Sequence, residues 1–124
     1  MRFARLVLLL IATGLASPAL PSAAELVMVE KAGCVWCRQW HAAIGPIYPK
    51  TGEARIAPLR RIDIADPALA DLQLASPPRL TPTFILVDGD REIGRIEGYP
   101  GEDFFWGLLA RLLEKLPKED AGGS

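Results

Sequence analysis

The chain has 124 residues, half of them hydrophobic, with 14 basic and 15 acidic side chains and a formal net charge of −1. This length predicts one small domain, and the absence of a basic block excludes a typical nucleic-acid-binding protein. The two cysteines and the single histidine all lie between positions 34 and 41. That segment is therefore the first place to look for chemistry.

The first 24 residues have the order of a secretory signal peptide. Arg2 and Arg5 precede an apolar run that starts at Leu6, and small residues end at Ala24. We expect cleavage after Ala24. The alternative, an uncleaved anchor, is disfavoured because the apolar run is shorter than the roughly 20 residues that cross a bilayer. The expected mature domain is 25–124, with 12 basic and 15 acidic residues and a short solvated tail from about residue 117.

The mature sequence predicts strands where short β-branched runs occur, and helices where apolar residues recur every three or four positions. The predicted elements are strands at Glu25–Glu30, Pro58–Ile64, Thr81–Val87 and Arg91–Gly98, helices at Trp36–Ile44 and Glu102–Leu116, a broken helical segment at Ile47–Ala57, and helical turns near Ala68–Leu72. The turn at residues 88–90 (Asp-Gly-Asp) predicts an antiparallel hairpin. The order is β-α-β followed by β-β-α.

The last predicted helix has one broad apolar face that should cover the sheet. Its members are Phe105, Leu108, Leu109, Leu112, Leu113 and Leu116.

The spacing of the two cysteines is compatible with several functions. A covalent haem site needs a histidine directly after the second cysteine, and here Arg38 follows Cys37. A purely structural disulfide is disfavoured, because closing four residues contributes only about 2 kcal/mol. A zinc or copper carrier remains an alternative: Cys34, Cys37 and His41 would share one face of a helix, although no further Cys or His completes a tetrahedral site.

A redox role requires a thiolate at the start of a helix and a second thiol to resolve the mixed disulfide. Cys34 meets the first requirement and should be exposed and attack. Cys37, one turn further on, should be shielded and resolve. Trp36, between them, should be exposed and offer apolar contact to partners. A third possibility is a docking module whose thiols merely oxidise.

The C-x-x-C after a first strand, together with "RLTPTFILVDG" (79–89), resembles the thioredoxin superfamily. The resemblance implies an α/β thioredoxin-like fold with a four-stranded mixed sheet flanked by helices. It implies that Pro82 is the superfamily's cis-proline beside the cysteines. It also places Thr81 and Gly98 where a substrate backbone approaches. The activity that it implies needs no cofactor beyond the Cys34–Cys37 disulfide.

The chain departs from thioredoxins proper at the residue that moves the proton of the second cysteine. Their buried aspartate lies six residues before the first cysteine, where this chain has Met28. Glu30 is a candidate replacement. His41 is expected to be dispensable for disulfide exchange, since its place on the helix needs no chemical explanation.

Three longer stretches, 33–51, 57–64 and 95–113, are more specifically similar to periplasmic thioredoxin-like proteins of bacterial sulfur-oxidation gene clusters. This resemblance implies a periplasmic reductant of protein disulfides, and we expect the mature chain to be a monomer. Its substrate would be the cysteine of a sulfur-carrier protein, and its electron donor a membrane thiol carrier.

Overall fold

The fold is a four-stranded mixed sheet with helices packed on it, seen in a computed structural model that describes residues 14–15 and 23–118. The strands are β1 (Ala24–Glu30), β2 (Leu59–Asp63), β3 (Thr83–Asp88) and β4 (Arg91–Glu97), and the helices are α1 (Val35–Ala43), α2 (Gly52–Ile56) and α3 (Glu102–Leu113), with short 3₁₀ helices at Tyr48–Lys50 and Pro67–Asp71. The predicted order and fold class are confirmed. The predicted signal peptide falls mainly on residues outside the described part.

The strand order is β2-β1-β3-β4, which places β1 in the interior of the sheet. β1 runs parallel to β2 and antiparallel to β3, and β3 pairs antiparallel with β4. The predicted hairpin is confirmed: Gly89 and Asp90 both have positive φ, 57° and 64°, as the central residues of a type I′ turn do.

Alternate residues of β1 face opposite sides of the sheet, and both sides are buried. Leu26 and Met28 pack under α1 and α3, whereas Val27 and Val29 pack against the chain around the 3₁₀ helix at Pro67–Asp71. Burial on both faces explains why β1 is almost continuously apolar. The carboxyl end of β1 leads directly into the loop that carries the cysteines.

Helices α1 and α3 meet over the sheet through aromatic rings. The ring of Trp40 lies 5.2 Å from that of Phe84 and 5.8 Å from that of Phe105, between centroids.

The prediction that Leu108 belongs to the apolar face covering the sheet was wrong, since Leu108 is 37% exposed. It lies at the margin of the apolar stripe, which is centred on the buried Phe105, Leu109 and Leu112. Within the described residues, no helix is long and apolar enough to span a membrane.

Candidate active site

Cys34 and Cys37 are joined by a disulfide at the start of α1. Gly33, at φ 79°, turns the chain out of the loop after β1. Cys34 is the N-cap residue, and its Sγ accepts a hydrogen bond from the backbone N–H of Cys37 at 3.1 Å. The free N–H groups and positive dipole at a helix N-terminus stabilise a thiolate there. This geometry favours ionisation of Cys34 once the disulfide is reduced.

The expected contrast in exposure between the two cysteines is not present in the disulfide-bonded state. Cys34 is 6% exposed and Cys37 is 4% exposed. Both residues belong to the hydrophobic core cluster, and the disulfide holds them together at the helix end. Position at the cap, rather than exposure, distinguishes Cys34.

An open groove of about 690 Å³ begins at Cys34, and we call it the Cys34 groove. It brings together four of the predicted site residues, namely Cys34, Trp36, Thr81 and Gly98. Pro82 is buried next to it, the Thr81–Pro82 bond is cis, and the Pro82 carbonyl accepts a hydrogen bond from the Gly98 N–H at 2.8 Å. Residues from α1, the start of β3 and the end of β4 thus form one surface.

The rim of the Cys34 groove is apolar. Val35, Trp36 and Leu80 are 51%, 56% and 50% exposed, a large exposed fraction for hydrophobic side chains next to a disulfide. The expectation that Trp36 is exposed is confirmed. Exposed apolar side chains grouped at one groove are typical of a surface that contacts another protein.

A second cavity of about 420 Å³ lies against Cys37, and we call it the Cys37 cavity. Cys34 and Cys37 border it together with the polar side chains of Glu30, His41 and Arg61. Glu30 ends β1, His41 lies on α1 and Arg61 on β2. The two cavities therefore meet at the disulfide, one mainly apolar at its rim and the other charged.

Glu30 connects the charged residues of this cavity. Its Oε2 lies 2.8 Å from His41 Nε2, and its Oε1 accepts a hydrogen bond from Arg61 Nε at 3.1 Å. Burial alone would raise the pKa of Glu30, but the hydrogen bonds from Arg61 and His41 outweigh it and hold that pKa below its usual value. Glu30 is accordingly a carboxylate at neutral pH.

Arg61 is the residue of this cluster that the sequence did not indicate. It reaches Glu30 because β1 and β2 are parallel, with Met28 opposite Arg61 and Glu30 opposite Asp63. That register is a long-range property, and a basic residue in a short strand does not reveal it.

The metal-carrier alternative finds no site in the structure. Across residues 14–15 and 23–118, no three His, Cys, Asp or Glu side chains are grouped to hold a metal ion. His41 Nε2 is turned to Glu30 instead. In this disulfide-bonded state, Cys34, Cys37 and His41 therefore do not form the ligand set of that alternative.

Comparison with solved structures identifies the family. The crystal structure of the periplasmic thioredoxin SoxS from Paracoccus pantotrophus, in its reduced form, is 52% identical, with a TM-score of 0.71 over 74% of this chain and 97% of that one. The chain belongs to the thioredoxin superfamily. Thioredoxins from Fasciola hepatica (18% identity, TM-score 0.54, 73% of this chain and 81% of that one) and Chlamydomonas reinhardtii (thioredoxin f2; 14%, 0.55, 75% and 82%) share the fold.

Comparison with protein-family models and with curated proteins found no match. The thioredoxin fold with a C-x-x-C disulfide makes this chain a thiol-disulfide oxidoreductase. As in thioredoxins, the reaction needs no cofactor, because the cysteine pair itself carries the electrons.

Proposed function

We propose that this protein is an exported reductant of protein disulfides, with Cys34 as nucleophile and Cys37 as resolving thiol. The Cys34 thiolate attacks a partner disulfide, an S–S bond forms to one partner sulfur, and the other leaves as a thiolate. Cys37 loses its proton and attacks Cys34, which releases the second partner thiolate. The partner gains two electrons, and the enzyme ends as the Cys34–Cys37 disulfide.

The observation that carries this assignment is the N-cap position of Cys34 at the head of the Cys34 groove. A thiolate is the attacking species in disulfide exchange, and the helix N-terminus stabilises it. Cys37 lies one turn inside α1 and borders the Cys37 cavity.

The partner segment is proposed to lie extended in the Cys34 groove. Thr81 precedes β3, whose ladders with β1 and β4 begin at Thr83, so its backbone is available to pair with an extended chain, as in β-strand addition. Gly98, at φ 82° and with open space at its Cβ position, allows a close approach. Trp36 then covers the partner with apolar surface.

The proposed setting is the periplasm, reached through the signal peptide cleaved after Ala24. Its support is the 52% identity to a periplasmic thioredoxin and the order of residues 1–24. The proposed substrate is the oxidised cysteine of a sulfur-carrier protein in a sulfur-oxidation system, and the proposed electron donor is a membrane thiol carrier. The mature chain is proposed to act as a monomer.

The test is trapping in the native periplasm with Cys37→Ser as bait and Cys34→Ser as matched control. The proposal predicts that Cys37→Ser forms a mixed disulfide with the sulfur-carrier protein and that the control does not. Mass spectrometry of the mature bait should find Glu25 as its first residue. Stoichiometric zinc or copper in the purified protein would favour the metal carrier. No protein-disulfide reduction by wild type would favour the docking module.

A further inference from the structure

We propose that His41, oriented by Glu30, accepts the proton that Cys37 loses when it resolves the mixed disulfide. This inference rests on the proposed function, because it assigns the proton transfer in its second step. It replaces the expectation that His41 is dispensable. His41 is the proton acceptor, and Glu30 and Arg61 are positioning residues.

The first support is the placement of His41 relative to Cys37. The two residues are four positions apart on α1, so their side chains are neighbours on one helix face. Both border the Cys37 cavity. A volume of about 420 Å³ has room for several waters, each of which takes about 30 Å³ in the liquid. A proton can therefore pass from Cys37 Sγ to the imidazole through water, a recognised route in general base catalysis.

The second support is the hydrogen bond between Glu30 and His41. The Glu30 carboxylate has only acceptor atoms, so the 2.8 Å contact requires His41 Nε2 to carry a hydrogen. In the neutral ring this leaves Nδ1 as the basic nitrogen. Trp40 packs edge-on against the ring, with centroids 5.3 Å apart and an interplanar angle of 82°. Glu30 fixes the tautomer, and both neighbours fix the ring plane.

Arg61 keeps the Glu30 carboxylate ionised beside His41. Its guanidinium hydrogen-bonds the other carboxylate oxygen of Glu30. Glu30 therefore stays ionised and acts as a permanent acceptor for His41, rather than taking the thiol proton itself. An imidazole oriented by a carboxylate is a recurring general base in enzymes.

The third support is the lack of another internal base near Cys37. No Asp or Glu is among the buried residues within 23–118, and the Glu92 side chain, which is 7% exposed, pairs with Arg95 away from this cavity. Met28 is buried at the position where thioredoxins proper have an aspartate. The remaining charged residues that border the cavity are Lys31, Arg38 and Asp63. Lys31 and Arg38 are cations, and Asp63 is exposed at the end of β2. His41 is the side chain at this cavity whose ring nitrogen can accept the proton while Glu30 remains bound to Arg61.

The resolving step balances as follows. The Cys37 S–H bond breaks, its proton moves through cavity water to His41 Nδ1, and the sulfur electron pair forms the bond to Cys34 Sγ. The bond from Cys34 to the partner sulfur breaks, and the partner leaves as a thiolate. The imidazolium then returns its proton to solvent before the next turnover.

The experiment separates attack from resolution with one equivalent of 5,5′-dithiobis(2-nitrobenzoate). The reduced protein releases one coloured thiolate when Cys34 attacks and a second when Cys37 resolves, and stopped-flow absorbance gives both rates. At pH 6.5 we expect His41→Ala to leave the first rate within twofold of wild type and to slow the second about 100-fold. Gln39→Ala, exposed on the same helix, is the matched control and should leave both rates unchanged.

The pH profile and chemical rescue distinguish proton transfer from a structural role. At pH 9.5, above the usual thiol pKa of about 8.5, Cys37 ionises without help, and the two proteins should resolve at similar rates. Added imidazole should restore resolution in His41→Ala and change wild type little. Glu30→Gln should slow the resolving step at least fivefold at pH 6.5, and Glu30→Asp should recover part of that rate.

Two results would overturn this inference. One is a resolution rate of His41→Ala within threefold of wild type at pH 6.5, and the other is a resolution rate slowed by the same factor at all pH values. Those outcomes leave the proposed function intact, because both coloured thiolates are still released. If instead wild type releases only one thiolate, the proposed function itself fails.

Discussion

Cys37 donates its backbone N–H to the Sγ of Cys34 at 3.1 Å, so the sulfur of the first cysteine closes the first turn of α1. The bond gives the two residues of one short motif different surroundings. Cys34 caps the helix and borders both cavities, and Cys37 lies within the helix beside the charged cavity. The chemical roles follow from that difference, since exposure is nearly equal.

We predict that limiting iodoacetamide near neutral pH alkylates Cys34 of the reduced protein before Cys37. The reason is that the helix N-terminus favours the Cys34 thiolate, and alkylation requires a thiolate. Peptide mass spectrometry after digestion gives the site of labelling. Preferential labelling of Cys37 would reverse the assignment of nucleophile and resolving thiol.

Trp36→Ala should weaken binding of protein substrates while leaving the chemistry intact. Trp36 is 56% exposed at the groove rim and offers a large apolar surface to a partner. Losing that contact should raise KM about tenfold, equivalent to about 1.4 kcal/mol, without slowing the reaction with a small aromatic disulfide. Phe104→Ala, 70% exposed on α3, is the control. An equal rise in KM for both variants would show that the effect is not specific to the groove.

Two glycine-to-alanine substitutions should have opposite effects on stability. Gly98 has φ 82°, which alanine adopts at a cost of about 1–2 kcal/mol. Gly107 lies inside α3, and a Cβ added there would have nothing within 4 Å. Alanine at this position should therefore raise the free energy of unfolding by about 0.5–1 kcal/mol. Urea unfolding measures both. Gly98→Ala should also slow protein-disulfide reduction, and unchanged turnover would mean that close approach at this position is not needed.

The contribution of Glu30 to stability should depend on pH. Because its pKa is lowered in the folded protein, its stabilising contribution is present above the unfolded value of about 4.5 and is lost as pH falls through the folded value. Glu30→Gln should therefore lower the free energy of unfolding by about 1 kcal/mol or less at pH 7. The difference should shrink as pH falls below the unfolded value of about 4.5. Glu114→Gln, exposed after α3, should show no such trend, and a Glu30 difference that grows at low pH would contradict the ion-pair account.

Much of the fold follows from local sequence patterns. β1, α1 and the β3–β4 hairpin are each specified by short-range features: a β-branched run, apolar spacing, and the turn around Gly89. Boundaries shift where one residue changes the hydrogen bonding. β3 begins at Thr83 rather than Thr81, since Pro82 has no N–H for a strand ladder.

The site was only partly predictable, because its charged half depends on contacts between distant segments. Glu30 and Arg61 are 31 positions apart, and Glu30 and His41 are 11 apart. The parallel register of β1 and β2 brings Arg61 to Glu30, and the packing of α1 brings His41 there. Neither is encoded in a local motif. The near-equal burial of the cysteines likewise comes from the closed disulfide, which spacing does not reveal.

The most direct test of the account is the reduction potential of the Cys34–Cys37 pair. The mature protein is equilibrated in dithiothreitol and glutathione buffers of defined potential, and the reduced fraction is read by alkylation and mass shift. A reductant of protein disulfides should have a potential near the value of about −270 mV known for thioredoxin. A potential near the value of about −120 mV of a strong thiol oxidant would contradict it, because the reduced form would then hold its electrons too firmly to pass them to a partner.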